Sequence, residues 1–257
     1  MIEDVLNREI NWAKDNASIV YIKTQDNQSG LTVLHKACMY CNLEAVKAFL
    51  EKGADVNVKD AQGRTPLNCI GQNYIHDFYK ILNLMLEYGS DINSQDSSGK
   101  TLLHKACDGS NKHHISVLLH KGADIEIQDG FNSKPFYYAC CHNAPFIVAF
   151  LIEQGCKVDS EDDIDSVLYN ACAWDDIKSI KVLLNNGANI NAKHDDNSTC
   201  LHSACKVGNI EIIQLLLDRG ANIDAEDDSE WIPHDCAKYN FHKEVMRLIE
   251  SHWSNVI

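Results

Sequence analysis

Leu34, Leu67, Leu103, Phe136, Leu168, Leu201 and His234 are successive occurrences of one position in a repeating pattern. They are separated by 33, 36, 33, 32, 33 and 33 residues. A unit of about 33 residues cannot bury its own apolar face, so a period of this size predicts units that stack on one another as a solenoid. Function in such a chain is a question of which surface meets which partner, before it is a question of an active site.

The best-formed unit runs from Asp60 to Lys100. It opens Asp60-Ala61-Gln62-Gly63-Arg64-Thr65-Pro66-Leu67, a tight-turn signal followed by a helix start. Asp and Gly favour the turn, Thr is a good N-cap, and Pro is tolerated in the first helical turn. A short first helix follows. A second, from Tyr79 to Tyr88, is predicted from Ile81, Leu82, Leu84, Met85 and Leu86, with Gly89 as a left-handed stop. The opening returns as Thr32-Val33-Leu34-His35-Lys36-Ala37-Cys38, as Thr101-Leu102-Leu103-His104-Lys105-Ala106-Cys107 and as Thr199-Cys200-Leu201-His202-Ser203-Ala204-Cys205. The close returns as Gly53-Ala54-Asp55-Val56, Gly122-Ala123-Asp124-Ile125, Gly187-Ala188-Asn189-Ile190 and Gly220-Ala221-Asn222-Ile223.

These residues resemble the ankyrin repeat, with its Thr-Pro-Leu-His-x-Ala opening and Gly-Ala-x-Val-Asn close. The resemblance covers about residues 27 to 252. It implies an all-α solenoid of stacked helix-turn-helix units with β-turn or hairpin fingers and a concave face. The organisation read from it is an N-terminal capping segment at 1–26, six repeats at 27–59, 60–95, 96–128, 129–160, 161–193 and 194–226, and a C-terminal capping repeat at 227–257. The first cap rests on Val5, Leu6, Ile10 and Ala13 at helical spacing. Three departures stand out. The second repeat carries three extra residues around Gln72–Tyr79, read as a tolerated loop insertion with a partner surface as the alternative. The fourth repeat reads Lys134-Pro135-Phe136-Tyr137. The fifth has Ile164 for the turn glycine and Val167 for the proline, so its finger is expected to be irregular.

Composition narrows the function classes. The net charge of −14 opposes non-specific nucleic-acid binding and favours a basic partner or plain solubility. No apolar run is long enough to span a membrane. Eleven cysteines without a secretory signal fit a reducing cytoplasmic or nuclear compartment, and a host cell's cytosol is compatible with the same composition. A monomer is expected. The sequons at Asn16, Asn27 and Asn197 are then expected to be unused.

Candidate chemistry is weak beside the repeat. His35/Cys38, His104/Cys107 and His202/Cys205 share metal-ligand spacing, and Cys41 extends the first pair. The resemblance instead gives these histidines a hydrogen bond to backbone between units, and the cysteines, with Cys140 and Cys172, a small-residue packing slot. Ser98-Gly99-Lys100-Thr101 imitates a P-loop but has Ser94 where the first glycine belongs. Cys140-Cys141-His142 lacks a third orienting group, and neighbours on a helix do not face each other. No enzyme, cofactor or metal is expected.

The resemblance further implies possible asparaginyl hydroxylation at Asn57, Asn93 and Asn191, against a simple turn-stabilising role. It also places partners on the finger tips and the exposed side of the first helix. The candidate partner-binding residues are Met39, Tyr40, Arg64, Phe131, His142, Asp162, Asp163, Asp165, Trp174, Asp195, Asp196, Trp231 and Tyr239. Acids crowd the later fingers and aromatics interleave with them. An acidic trough with exposed rings suits a Lys/Arg-rich segment. A solvated acidic surface, with Trp174 and Trp231 packed on neighbouring fingers, is the competing reading. The expected function is a non-catalytic interaction scaffold or adaptor. A docking subunit or host-directed effector of a larger assembly is the alternative, ahead of an enzyme-associated targeting module.

Overall fold

The structure, a computed structural model, describes residues 19–71, 75–142, 144–158 and 164–256. Two compact units divide the chain, Met1–Tyr138 and Ala139–Ile257. The first holds α1 (Ile19–Lys23), α2 (Val33–Met39), α3 (Leu43–Glu51), a 3₁₀ turn at Leu67–Cys69, α4 (Ile75–Glu87), α5 (Leu102–Asp108) and α6 (Lys112–His120). The boundary falls inside α7 (Pro135–Cys141). The second unit continues with α8 (Pro145–Glu153), α9 (Ile164–Ala173), α10 (Ile177–Asn185), α11 (Cys200–Val207), α12 (Ile210–Asp218), α13 (Pro233–Tyr239) and α14 (Lys243–Val256).

Each unit is a stack of helix pairs in two layers. In the first, α2 packs on the 3₁₀ turn, while α3 packs on α4 and α4 on α6. In the second, α9, α11 and α13 form one layer, backed by α8 with α10 and by α12 with α14. The repeated Leu is the pin between layers: Leu34, Leu67, Leu103, Leu168 and Leu201 are all buried, as is Phe136. Polar residues start the helices. Thr32 and Thr101 cap the inner helices, and the side chains of Asn42, Asn111, Asp176 and Asn209 accept backbone N–H groups at 3.0–3.2 Å to start the outer ones. Each such cap contributes about 1 kcal/mol.

The fingers are tight turns, and no strand occurs among the described residues. Within a finger, Asp60 donates its N–H to the Arg64 carbonyl at 2.9 Å, and its carboxylate accepts the Gln62 and Arg64 N–H groups. A backbone bond joins successive fingers at four places: Ala61 to Ser29, Ser97 to Gln62 and Gly130 to Ser98 in the first unit, Asp228 to Asp196 in the second.

The second repeat differs from its sequence reading. Its first helix is only the 3₁₀ turn. At Ile70 the backbone turns extended, which brings Gly71 so close to repeat one that a Cβ would lie 2.5 Å from the Met39 carbonyl oxygen. A glycine there is both a poor helix former and the one residue that fits. The second helix begins at Ile75, four residues before the expected Tyr79. Part of the Gln72–Tyr79 insertion therefore continues a helix, and its Phe78 is a fully buried core residue stacked on His114 with ring centroids 3.8 Å apart. Tyr79 stays half exposed; Gln72, Asn73 and Tyr74 lie outside the described residues.

The fifth repeat is irregular in a defined way. α9 starts at Ile164, one turn ahead of the position where α2 starts relative to Leu34, and Ile164 and Val167 are buried. The residues at the Ile164 position of the other fingers, Gly30, Gly63, Gly99, Asn132, Asn197 and Glu230, are all left-handed; a β-branched isoleucine disfavours that turn, and the helix extends back in its place.

Candidate partner-binding surface

The framework histidines are committed to the stack. Thr32 donates its N–H to His35 Nδ1 at 3.1 Å, so that nitrogen is an acceptor and Nε2 carries the proton, which it donates to the Arg64 carbonyl at 3.0 Å. His104 repeats this with Thr101 and Ser133, and His202 with Thr199 and Trp231. Both nitrogens of each ring are thereby occupied, and burial lowers all three pKa values. Cys38, Cys107 and Cys205 are buried in the packing slot, and burial raises the Cys38 and Cys205 thiols above their ordinary range. A ring with one lone pair spent on Thr N–H and one proton spent on a carbonyl has no coordination site left for a metal.

Asn57, Asn93 and Asn191 also reach across repeats. The local turn bonds come from the residue two positions earlier, Asp55, Asp91 or Asn189, whose side chain accepts their N–H groups. Their own side chains bond the next repeat: Asn57 Nδ2 donates to the Gly89 carbonyl, Asn93 Oδ1 accepts the Asp124 N–H, and Asn191 does both, to Gly220 and from Asn222. The purely local role is thus corrected. In the second unit Asp165 does the same work for Asn189, accepting its N–H at 2.7 Å from the extra turn of α9.

The other candidates separate by unit. In the first, Met39 and Tyr40 are half-buried at the end of α2. The Arg64 guanidinium is held by Asp60 at 2.7 Å. Phe131 stands 78% exposed at a finger tip. In the second, His142 is exposed just after α7, Trp174 is 57% exposed at the end of α9, and Asp195 and Asp196 are exposed in a finger. Asp162 and Asp163 lie outside the described residues. Trp231 and Tyr239, one from the last finger and one from the end of α13, come together with ring centroids 5.3 Å apart. Both remain open to solvent, Tyr239 at 70%.

Several acids have neutral partners. Asp196 accepts the Ser198 hydroxyl, which holds its carboxyl below the ordinary range. Asp228 accepts the Asn197 amide at 2.6 Å, and Asp175 the Asn209 amide at 2.6 Å. Amide and hydroxyl donors fix these carboxylates without cancelling their charge. The charge is also unevenly placed. Residues 139–257 hold 20 Asp/Glu and 9 Lys/Arg, a net −11 of the chain's −14.

Sequence reasoning missed Phe241, the most exposed large apolar residue described, at 85%. Its signal was available: it occupies the position of Cys41, Ser110, Asp175 and Gly208, where every other side chain is small or polar.

A family model described as ankyrin repeats (three copies) matches residues 10–96, 72–162 and 168–254. A 47-residue stretch, 18% of the chain, is 45% identical to neurogenic locus notch homolog protein 1 of Xenopus laevis and of Danio rerio, and 43% identical to that of Homo sapiens. That stretch spans only about 2% of those relatives' length. With the repeated caps, pins and inter-repeat bonds described above, the matches along nearly the whole sequence establish that the chain belongs to the ankyrin-repeat family, whose members serve as protein-interaction modules.

Proposed function

We propose that the chain is a non-catalytic adaptor that binds a Lys/Arg-rich protein segment on its second unit, along the fingers and the end of α9. The observation carrying this is the concentration of net charge −11 in the unit that also exposes Trp174, Trp231 and Tyr239. Carboxylates held by neutral donors attract cations from a distance. Exposed ring faces add cation–π attraction of about 0.5–2 kcal/mol each at close range. Tryptophan and tyrosine are also the side chains that most often dominate binding energy at interfaces.

The test uses an alternating Lys-Ser peptide, titrated into the full chain at about 50 mM and about 500 mM salt, since exposed charges are screened over ~10 Å at 0.1 M. The reading expects binding that weakens steeply with salt, and a further loss of roughly tenfold at low salt in the double variant Asp195→Asn/Asp228→Asn. Binding indifferent to both salt and substitution overturns it.

A further inference from the structure

Phe241 breaks two rules at once. Its backbone is left-handed, with φ 62°. That conformation is required, because the N–H of the following residue, His242, closes back on the Ala237 carbonyl at 2.9 Å to end α13. Equivalent closures follow Cys41, Ser110 and Asp175, also at positive φ, and Gly208 is left-handed too. A bulky residue is a genuine outlier in this region, and its ring sits here without the compensation of burial. Neither backbone preference nor core packing accounts for a phenylalanine at this place.

Its surroundings say what such a ring could meet. Tyr239, two residues earlier, is 70% exposed and touches Trp231. Val207 and Trp174, exposed at the ends of α11 and α9, occupy one and the same repeat position. The ends of α11 and α13 also carry exposed Lys206 and Lys238, so a cation is disfavoured beside them, whereas Asp175 follows α9 and Asp195, Asp196 and Asp228 stand on the fingers. Charge therefore leaves a cation-attracting surface along the fingers and the end of α9, and an apolar one at the end of α13.

We infer that Phe241, with Tyr239, seats a large apolar side chain carried by the basic segment, so that the partner combines a Lys/Arg run with a leucine-sized or aromatic anchor. This rests on the basic-segment reading above and adds the anchor to it. The surplus of acids in this unit identifies the occupant as a cationic segment of another protein. A second copy of this acidic chain would be repelled.

The test compares the Lys-Ser peptide with the same peptide carrying one leucine, scanned along its length, by calorimetry on the full chain. The wild type is expected to bind the best-placed leucine peptide at least about fivefold tighter than the parent, the order expected from covering a leucine with apolar surface. Phe241→Gly and Phe241→Asn are expected to erase that gain, to leave the parent peptide's affinity unchanged, and to raise the melting temperature by relieving the left-handed strain. Retention of the leucine gain in both variants overturns the anchor while sparing the basic-segment reading. A lowered melting temperature in both also overturns it, because the ring then serves the fold. Absence of binding by every basic peptide overturns both readings.

Discussion

The carboxylate of Asp165 accepts the backbone N–H of Asn189 at 2.7 Å, in the place where Asn93 and Asn191 accept the N–H of Asp124 and Asn222. A residue singled out as a candidate for partner contact thus also ties two repeats together. Asp165→Ala is expected to lower the stability of the second unit by roughly 0.5–1 kcal/mol, and Asp165→Asn to retain most of it, since an amide oxygen can take the same bond. Urea unfolding of the two variants beside the wild type decides this; equal losses in both would show that charge rather than the bond matters.

Phe78 is a core residue inside what reads as an insertion. Phe78→Ala is expected to cost about 3–5 kcal/mol, the range for emptying a buried aromatic site. A loss below about 1 kcal/mol by denaturant titration would return the segment to the status of a tolerated loop.

Ser90 stands where four of the other repeats place Ala54, Ala123, Ala188 and Ala221, and its hydroxyl oxygen is buried without a hydrogen-bond partner among the described residues. Ser90→Ala removes an unsatisfied polar group and is expected to stabilise the chain by about 1 kcal/mol. Calorimetric melting should show a higher transition temperature; a lower one would reveal a bond made by that hydroxyl.

Histidines set the acid limit. Burial lowers His35, His104 and His202, and takes His114 down to about 4. Below pH ~6.5 the unfolded chain binds protons that the folded chain refuses, so stability rises with pH in this window. It is fully present above pH ~6.5 and is lost as pH falls towards the folded values, near pH 4 for His114. Proton NMR titration should place the His114 midpoint near 4. A midpoint at the ordinary value would contradict its burial.

Trp174 is more than half exposed and follows the last turn of α9. Trp174→Ala is expected to change stability by less than about 0.5 kcal/mol and to weaken basic-peptide binding about tenfold. A stability loss with unchanged binding would assign the ring to the fold.

The repeated Leu, the Thr caps and the Gly stops were legible because each acts within a few residues of its own position. The framework role of His35 and the packing role of Cys38 came instead from the family resemblance, since the bond from His35 reaches Arg64 in the next repeat. Phe78 was misread, and the roles of Gly71 and Asp165 in the stack went unread, because each answers to a contact from another repeat. Phe241 was overlooked because the repeat pattern specifies which positions are left-handed only once the closing bond from His242 is seen.

By itself the sequence determined the stacked architecture, most of the helix starts and stops, and the acidic surplus of the later repeats, since periodicity, capping preference and charge are carried by the residues themselves. Only the tertiary structure decided which acids are struts, that Phe78 is core, and that Phe241 is presented to solvent. Exposure and hydrogen-bond partners depend on what arrives from about 30 residues away, and no local pattern contains that arrival.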